Sequence, residues 1–151
     1  MKIANLCKIT SLFFMLILMA GTGNRALADI AVIVNANNPL ATLTQKDAGK
    51  IFMGKLRLFP GTNLEIHAFD LATDHSLRHT FYEKLVSMNA SRLARYRASY
   101  LFGGKGRLPE SVADESSLIY SVNTHINGIG YVSLRPLPDN VKVVFILKTD
   151  D

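Results

Sequence analysis

The sequence has 151 residues, with 17 Lys and Arg against 12 Asp and Glu and a formal charge of +5. Three of those cations, Lys2, Lys8 and Arg25, fall in the first 28 residues, where there is no acid. The remainder carries a surplus of only two cations, which makes no electrostatic case for a nucleic-acid partner. The single cysteine, Cys7, also lies there, which excludes a disulfide, a thiolate metal site or a cysteine nucleophile in residues 29–151.

In chain order, the first segment is an address. The basic start is followed by an apolar run from Ile9 to Ala20, then by small residues leading to Ala26-Leu27-Ala28. The run is shorter than the roughly 20 apolar residues that span a bilayer. The pattern reads as a secretory signal peptide over residues 1–28, cleaved before Asp29, with an uncleaved anchor as the alternative. Export of a chain without disulfides fits a bacterial periplasm. Residues 29–151 suit one compact domain with one core.

Ile30 to Val34 is β-branched and apolar and predicts a buried strand. Thr44 opens a helix in which Asp47 stands at the capping-box position, Leu43 and Ala48 form a weak staple, and Ala48, Ile51 and Phe52 make the apolar stripe. Gly54 fits a left-handed helix end. After the turn at Phe59 to Asn63, Leu64, Ile66 and Ala68 alternate with Glu65, His67 and Phe69, the period of a strand. Leu77, Phe81, Leu85 and Met88 then recur at helical spacing, predicting a helix from His75 to Val86 capped by Thr73 or Asp74. A second helix fits Ser91 to Phe102, with Leu93, Tyr96, Tyr100 and Leu101 on one side and the glycines of GGKG, Gly103 to Gly106, ending it. A third carries Leu118, Ile119, Val122 and Ile126 inward. IGYVSL and VKVVFIL close the chain as strands. This order predicts an α/β domain: a mixed sheet with helices packed on it.

Four segments carry a family resemblance. LTQKDAGKIFMGK (Leu43 to Lys55), IHAFDLATDHSLRHTF (Ile66 to Phe81), LFGGKG (Leu101 to Gly106) and NGIGYV (Asn127 to Val132) occur in the order and spacing of the periplasmic phosphate-binding proteins. Together they span most of residues 43–132. The resemblance implies a type II periplasmic-binding-protein fold. The chain has room for a single lobe of it, matching the family's second lobe. It also implies a non-enzymatic solute-binding module for phosphate or a similar small oxyanion, with a membrane transporter as partner. The family's Ser-Gly-Thr at the helix start is replaced here by His75, Ser76 and Leu77, and its arginine position falls on Leu71. These departures leave a second reading open: a periplasmic protein-interaction or sensory module, or a homodimer completing a cleft, that kept the fold and lost the ligand.

The stretch TDHSLRHTFYEKL, Thr73 to Leu85, carries the candidate site. Unpaired amides and the macrodipole make a helix start receptive to an anion. Thr73, Asp74, His75, Ser76 and Arg78 are the candidate ligand-binding residues: Ser76 and His75 can donate, and Arg78 can donate bidentately. Asp70 and Asp74 repel an anion unless they accept a protonated phosphate's hydrogen or cap the helix. Capping alone is the bland account of Thr73 and Asp74. His75 and His79 have the i, i+4 spacing of zinc helices, but no glutamate lies between them and Arg78 repels a cation, so no metal or other cofactor is expected. Lys84, Arg92, Arg95, Arg97, Lys105 and Arg107 form a basic run with Tyr96 and Tyr100 interleaved. It reads either as an anionic-partner patch or as a solvated helix face with the tyrosines in the core. GGKG lacks the spacing of a phosphate loop, and no catalytic constellation accompanies the Ser, His and Asp residues.

Overall fold

The computed structural model describes residues 28–150, so the signal peptide expected over residues 1–28 lies, but for Ala28, outside the described residues. Five strands form one mixed sheet in the order β3-β2-β4-β1-β5. They are β1 (Ile30–Asn35), β2 (His67–Leu71), β3 (Glu110–Val112), β4 (Gly128–Ser133) and β5 (Val141–Leu147). Four helices connect them: α1 (Gln45–Phe52), α2 (Ser76–Val86), α3 (Ala90–Phe102) and α4 (Glu115–Thr124). β2 runs parallel to β3 and β4, while β1 is antiparallel to β4 and β5. Among the described residues no helix is long and apolar enough to cross a membrane.

β1 is buried along its whole length because helices cover both faces of the sheet around it. Successive residues of β4 show the two layers. Gly130 faces Leu118 of α4, while Tyr131 stacks on Phe81 of α2 with centroids 3.7 Å apart. Phe52 of α1 meets both Phe81 (4.8 Å) and Tyr131 (5.6 Å) edge-on, so α1 and α2 share the face opposite α4.

Local signals account for the helix ends. Thr44 accepts the Asp47 amide at 3.1 Å, and its hydroxyl donates to the Asp47 carboxylate at 3.0 Å. Gly54 takes φ 75° after α1. Asn89 and Asp114 cap α3 and α4 through the amides of Arg92 and Ser117.

Several expectations are corrected. The predicted alternation of Leu64, Ile66 and Ala68 does not mark the buried side of β2. The strand begins at His67, and Phe69, Asp70 and Leu71 are all buried because both faces are covered. The α2 cap is His75, whose Nδ1 accepts the Leu77 amide at 3.3 Å, rather than Thr73 or Asp74. Leu101 is exposed instead of joining the stripe of α3, and Ile126 is exposed because it lies beyond the end of α4. β3 has no periodic pattern in its three residues and was not foreseen; it forms by pairing with β2.

A Cβ built on Gly130 would stand 2.4 Å from Leu118 Cδ2, so this contact requires glycine. Gly130→Ala is expected to lower stability by about 1–3 kcal/mol through overpacking, measured by urea denaturation. Leu118 is itself fully buried, so Leu118→Ala is destabilising alone, but the double variant should lose less than the sum of the two single losses, which an effect on strand propensity alone would not do.

Candidate functional site

Beneath the start of α2 lies a buried cluster built around one carboxylate. Asp70 is 1% exposed and comes from β2 on the face shared by α2 and α3. Its Oδ2 accepts from Arg78 Nε (2.9 Å) and Tyr82 hydroxyl (3.2 Å), both on α2, and from Arg97 Nη2 (2.7 Å) on α3. Its Oδ1 accepts the Tyr131 hydroxyl of β4 at 2.5 Å. Arg97 Nη2 also donates to the Tyr82 hydroxyl at 2.6 Å. The two guanidinium carbons lie 5.3 and 5.1 Å from the centroid of the Tyr82 ring.

The sequence places these groups by simple spacing. Arg78 and Tyr82 are one helical turn apart and project on the same side of α2. Arg97 is four residues after Leu93 and three before Tyr100, both buried, so it sits on the inward stripe of α3. Tyr96 and Tyr100 hold that helix against the end of α1 by donating to Met53 O (2.9 Å) and Gly54 O (2.5 Å).

The cluster sets two guanidiniums against one carboxylate, leaving a positive excess in a desolvated site. Both tyrosines stay protonated. Burial, and then the charge of Asp70, raise the Tyr82 and Tyr131 phenols far above the ordinary phenol value.

The residues expected to bind a ligand do gather at the C-terminal end of β2. Thr73, Asp74 and Ser76 are exposed and His75 is half-buried. Arg78 differs from expectation: it is 5% exposed and turns inward, its Nε given to Asp70. The loop before α4 reaches the same place. The Asp114 carboxyl is held below its ordinary value mainly by the Ser117 backbone amide, with the His75 imidazole contributing least. Asp70, Tyr82, Arg97 and Tyr131 were not picked out as site residues.

The histidines separate into two regions. His67 and His125 meet with centroids 4.9 Å apart, beside Phe69, and His67 Nε2 pairs with Glu110 at 2.8 Å. They lie near the opposite end of β2 from His75, whose Nδ1 is used as the helix cap. Among the described residues no group of three or more His, Cys, Asp and Glu is arranged to hold a metal ion.

The basic run divides as well. Arg92, Arg95, Lys105 and Arg107 are exposed, whereas Arg97 enters the buried cluster.

Removing the carboxylate leaves two buried guanidiniums uncompensated. Asp70→Ala is expected to cost about 3–5 kcal/mol in chemical denaturation, and Tyr131→Phe about 1–3 kcal/mol. The tyrosines also fix an alkaline limit. Their folded pKa values are raised, so the stability they contribute is complete below the unfolded phenol value of about 10 and is lost as pH rises above it. Stability should fall above about pH 10, less steeply in Tyr131→Phe, and ultraviolet titration should show two phenols ionising only on unfolding.

No protein-family model and no curated protein matches the sequence. Solved structures do. An ABC-type phosphate transport receptor from Vibrio cholerae superposes with a TM-score of 0.63 at 20% identity, over 79% of this chain and 47% of the receptor. A protein described as a phosphate ABC transporter substrate-binding protein, from Clostridium perfringens with phosphate bound, gives 0.63 at 23% identity, over 79% and 46%. PstS from Borrelia burgdorferi gives 0.57 at 15%, over 72% and 42%. The chain thus spans less than half the length of these structures, and its fold is that of a single lobe of a phosphate-receptor-like periplasmic binding protein.

Proposed function

We propose that the protein is an exported, non-enzymatic binding lobe that takes inorganic phosphate or a similar small oxyanion at the start of α2. The observation that carries this reading is the positive excess of the Asp70–Arg78–Arg97 cluster directly beneath a helix start. Ser76 and Thr73 supply hydroxyl donors on the exposed side, and His75, whose Nδ1 accepts the Leu77 amide, adds one through its Nε2–H. Arg78 contributes its charge from below rather than a bidentate grip, since it is 5% exposed and turned inward to Asp70. Asp74, exposed beside the cap, and Asp114, near His75, repel a fully ionised anion. They accept a hydrogen bond from a protonated one, which favours hydrogen phosphate over sulfate. The resemblance to phosphate receptors supports the same ligand, a periplasmic location and a membrane transporter as partner.

A second reading has its own observation. The internal carboxylate of Asp70 already engages both guanidiniums, as an anion would. A lobe whose arginines are engaged internally in this way serves as a periplasmic protein-interaction or sensory module, or pairs with a second copy to complete a cleft.

Calorimetry and thermal shift separate the two. Phosphate at millimolar concentration should release heat and raise Tm, with sulfate at least tenfold weaker and Ser76→Ala reducing the phosphate response. Absence of any phosphate response, together with a stable homodimer or a captured periplasmic protein, would overturn the first reading in favour of the second.

A further inference from the structure

A cleft of about 900 Å³ opens between α3, the 103–109 loop, the segment after α1 and the beginnings of β2 and β4. His67, Ala68 and Asn127 line it, so it lies at the opposite end of the parallel strands from the start of α2. Three arginines from three separate segments line it: Arg57, Arg97 and Arg107. Arg57 and Arg107 are exposed and make no ion pair among the described residues. Arg97 forms the inner wall. Its Nη2 is taken by Asp70 and Tyr82, while its Nε is buried with no hydrogen-bond partner. Two carboxylates also line the cleft, and one of them, Glu110, is engaged by His67. The rest of the wall is largely apolar, with Leu56, Ile66 and Leu101 contributing.

We infer that this cleft is a second binding site, separate from the α2 start, for an organic anion: a phosphate or carboxylate head on an apolar body. The head is drawn by the three arginines, whose forked donors match such oxygens. Exposed Arg57 and Arg107 close on it from the two rims. The apolar body covers the side chain of Leu101, which is 61% exposed although it borders the cleft. Inorganic phosphate has no such body and gains nothing from that wall.

The test uses phenyl phosphate as probe, with inorganic phosphate as the head alone and benzyl alcohol as the body alone. Phenyl phosphate should bind at least tenfold tighter than either, and binding should weaken with added salt. In the double variant Arg57→Gln/Arg107→Gln, phenyl phosphate affinity should fall at least tenfold while Tm and the response to inorganic phosphate persist. Leu101→Ser should weaken phenyl phosphate and leave inorganic phosphate unaffected. Phenyl phosphate that does not bind, or that binds the double variant as tightly as the parent, overturns the proposal. The second of those outcomes would place the probe at the α2 start instead.

Discussion

The Asp70 carboxylate is the constraint on which the rest of this structure depends. Four donors from three elements converge on its two oxygens: Arg78 and Tyr82 from α2, Arg97 from α3 and Tyr131 from β4. Taking one carboxylate and two guanidiniums out of water is expensive, and the four hydrogen bonds to the carboxylate offset part of that cost. The pairing ties both helices to the same strand, fixing where the start of α2 sits relative to the sheet. The cluster also lies between the two proposed binding regions. One flank lies under the α2 start, and the other, through Arg97, forms the wall of the cleft beside α3.

Most of the architecture was legible in the sequence because its signals are local. Ile30 to Val34 reads as a buried strand without its neighbours, and Thr44 with Asp47 reads as a helix start because capping is made within one turn. Elements defined by pairing were not legible in this way. β3 has three residues and exists through its ladder to β2, and the inward face of β2 depends on which helices cover it. His75 displaced Thr73 and Asp74 as the cap because an imidazole nitrogen accepts an amide as a carboxylate does, a role that spacing alone does not reveal.

The local structure around the proposed site was legible in the sequence, but the partner of its arginine was not. The segment Thr73 to Arg78 lies where expected, at the end of a parallel strand and the start of a helix. The partner of Arg78 was missed because Asp70 was weighed as a repulsive charge next to a ligand, rather than as a buried acceptor. Two signals were available. Asp70 stands between Phe69 and Leu71 in an apolar stretch, where a charge persists only if paired. Arg97 follows Leu93 by one turn on the inward stripe of α3, unlike Arg92 and Arg95. The basic run was therefore two populations: three of its arginines face solvent and one, Arg97, joins the buried Asp70 cluster.

The strand directions carry a further consequence. Ile30 pairs with both Ser133 and Leu147, and Asp29 binds Lys148 and accepts the Thr149 amide, so the two ends of the folded domain meet at one corner of the sheet. That corner lies at the same end as Leu71, where β2 hands over to α2. Any chain or anchor joined through residue 29 or 149 therefore emerges on the α2-start side. The cleft lined by Arg57 and Arg107 points away from the attachment. The two proposed regions therefore sit at opposite ends of the sheet, one beside the ends of the folded domain and the other away from them.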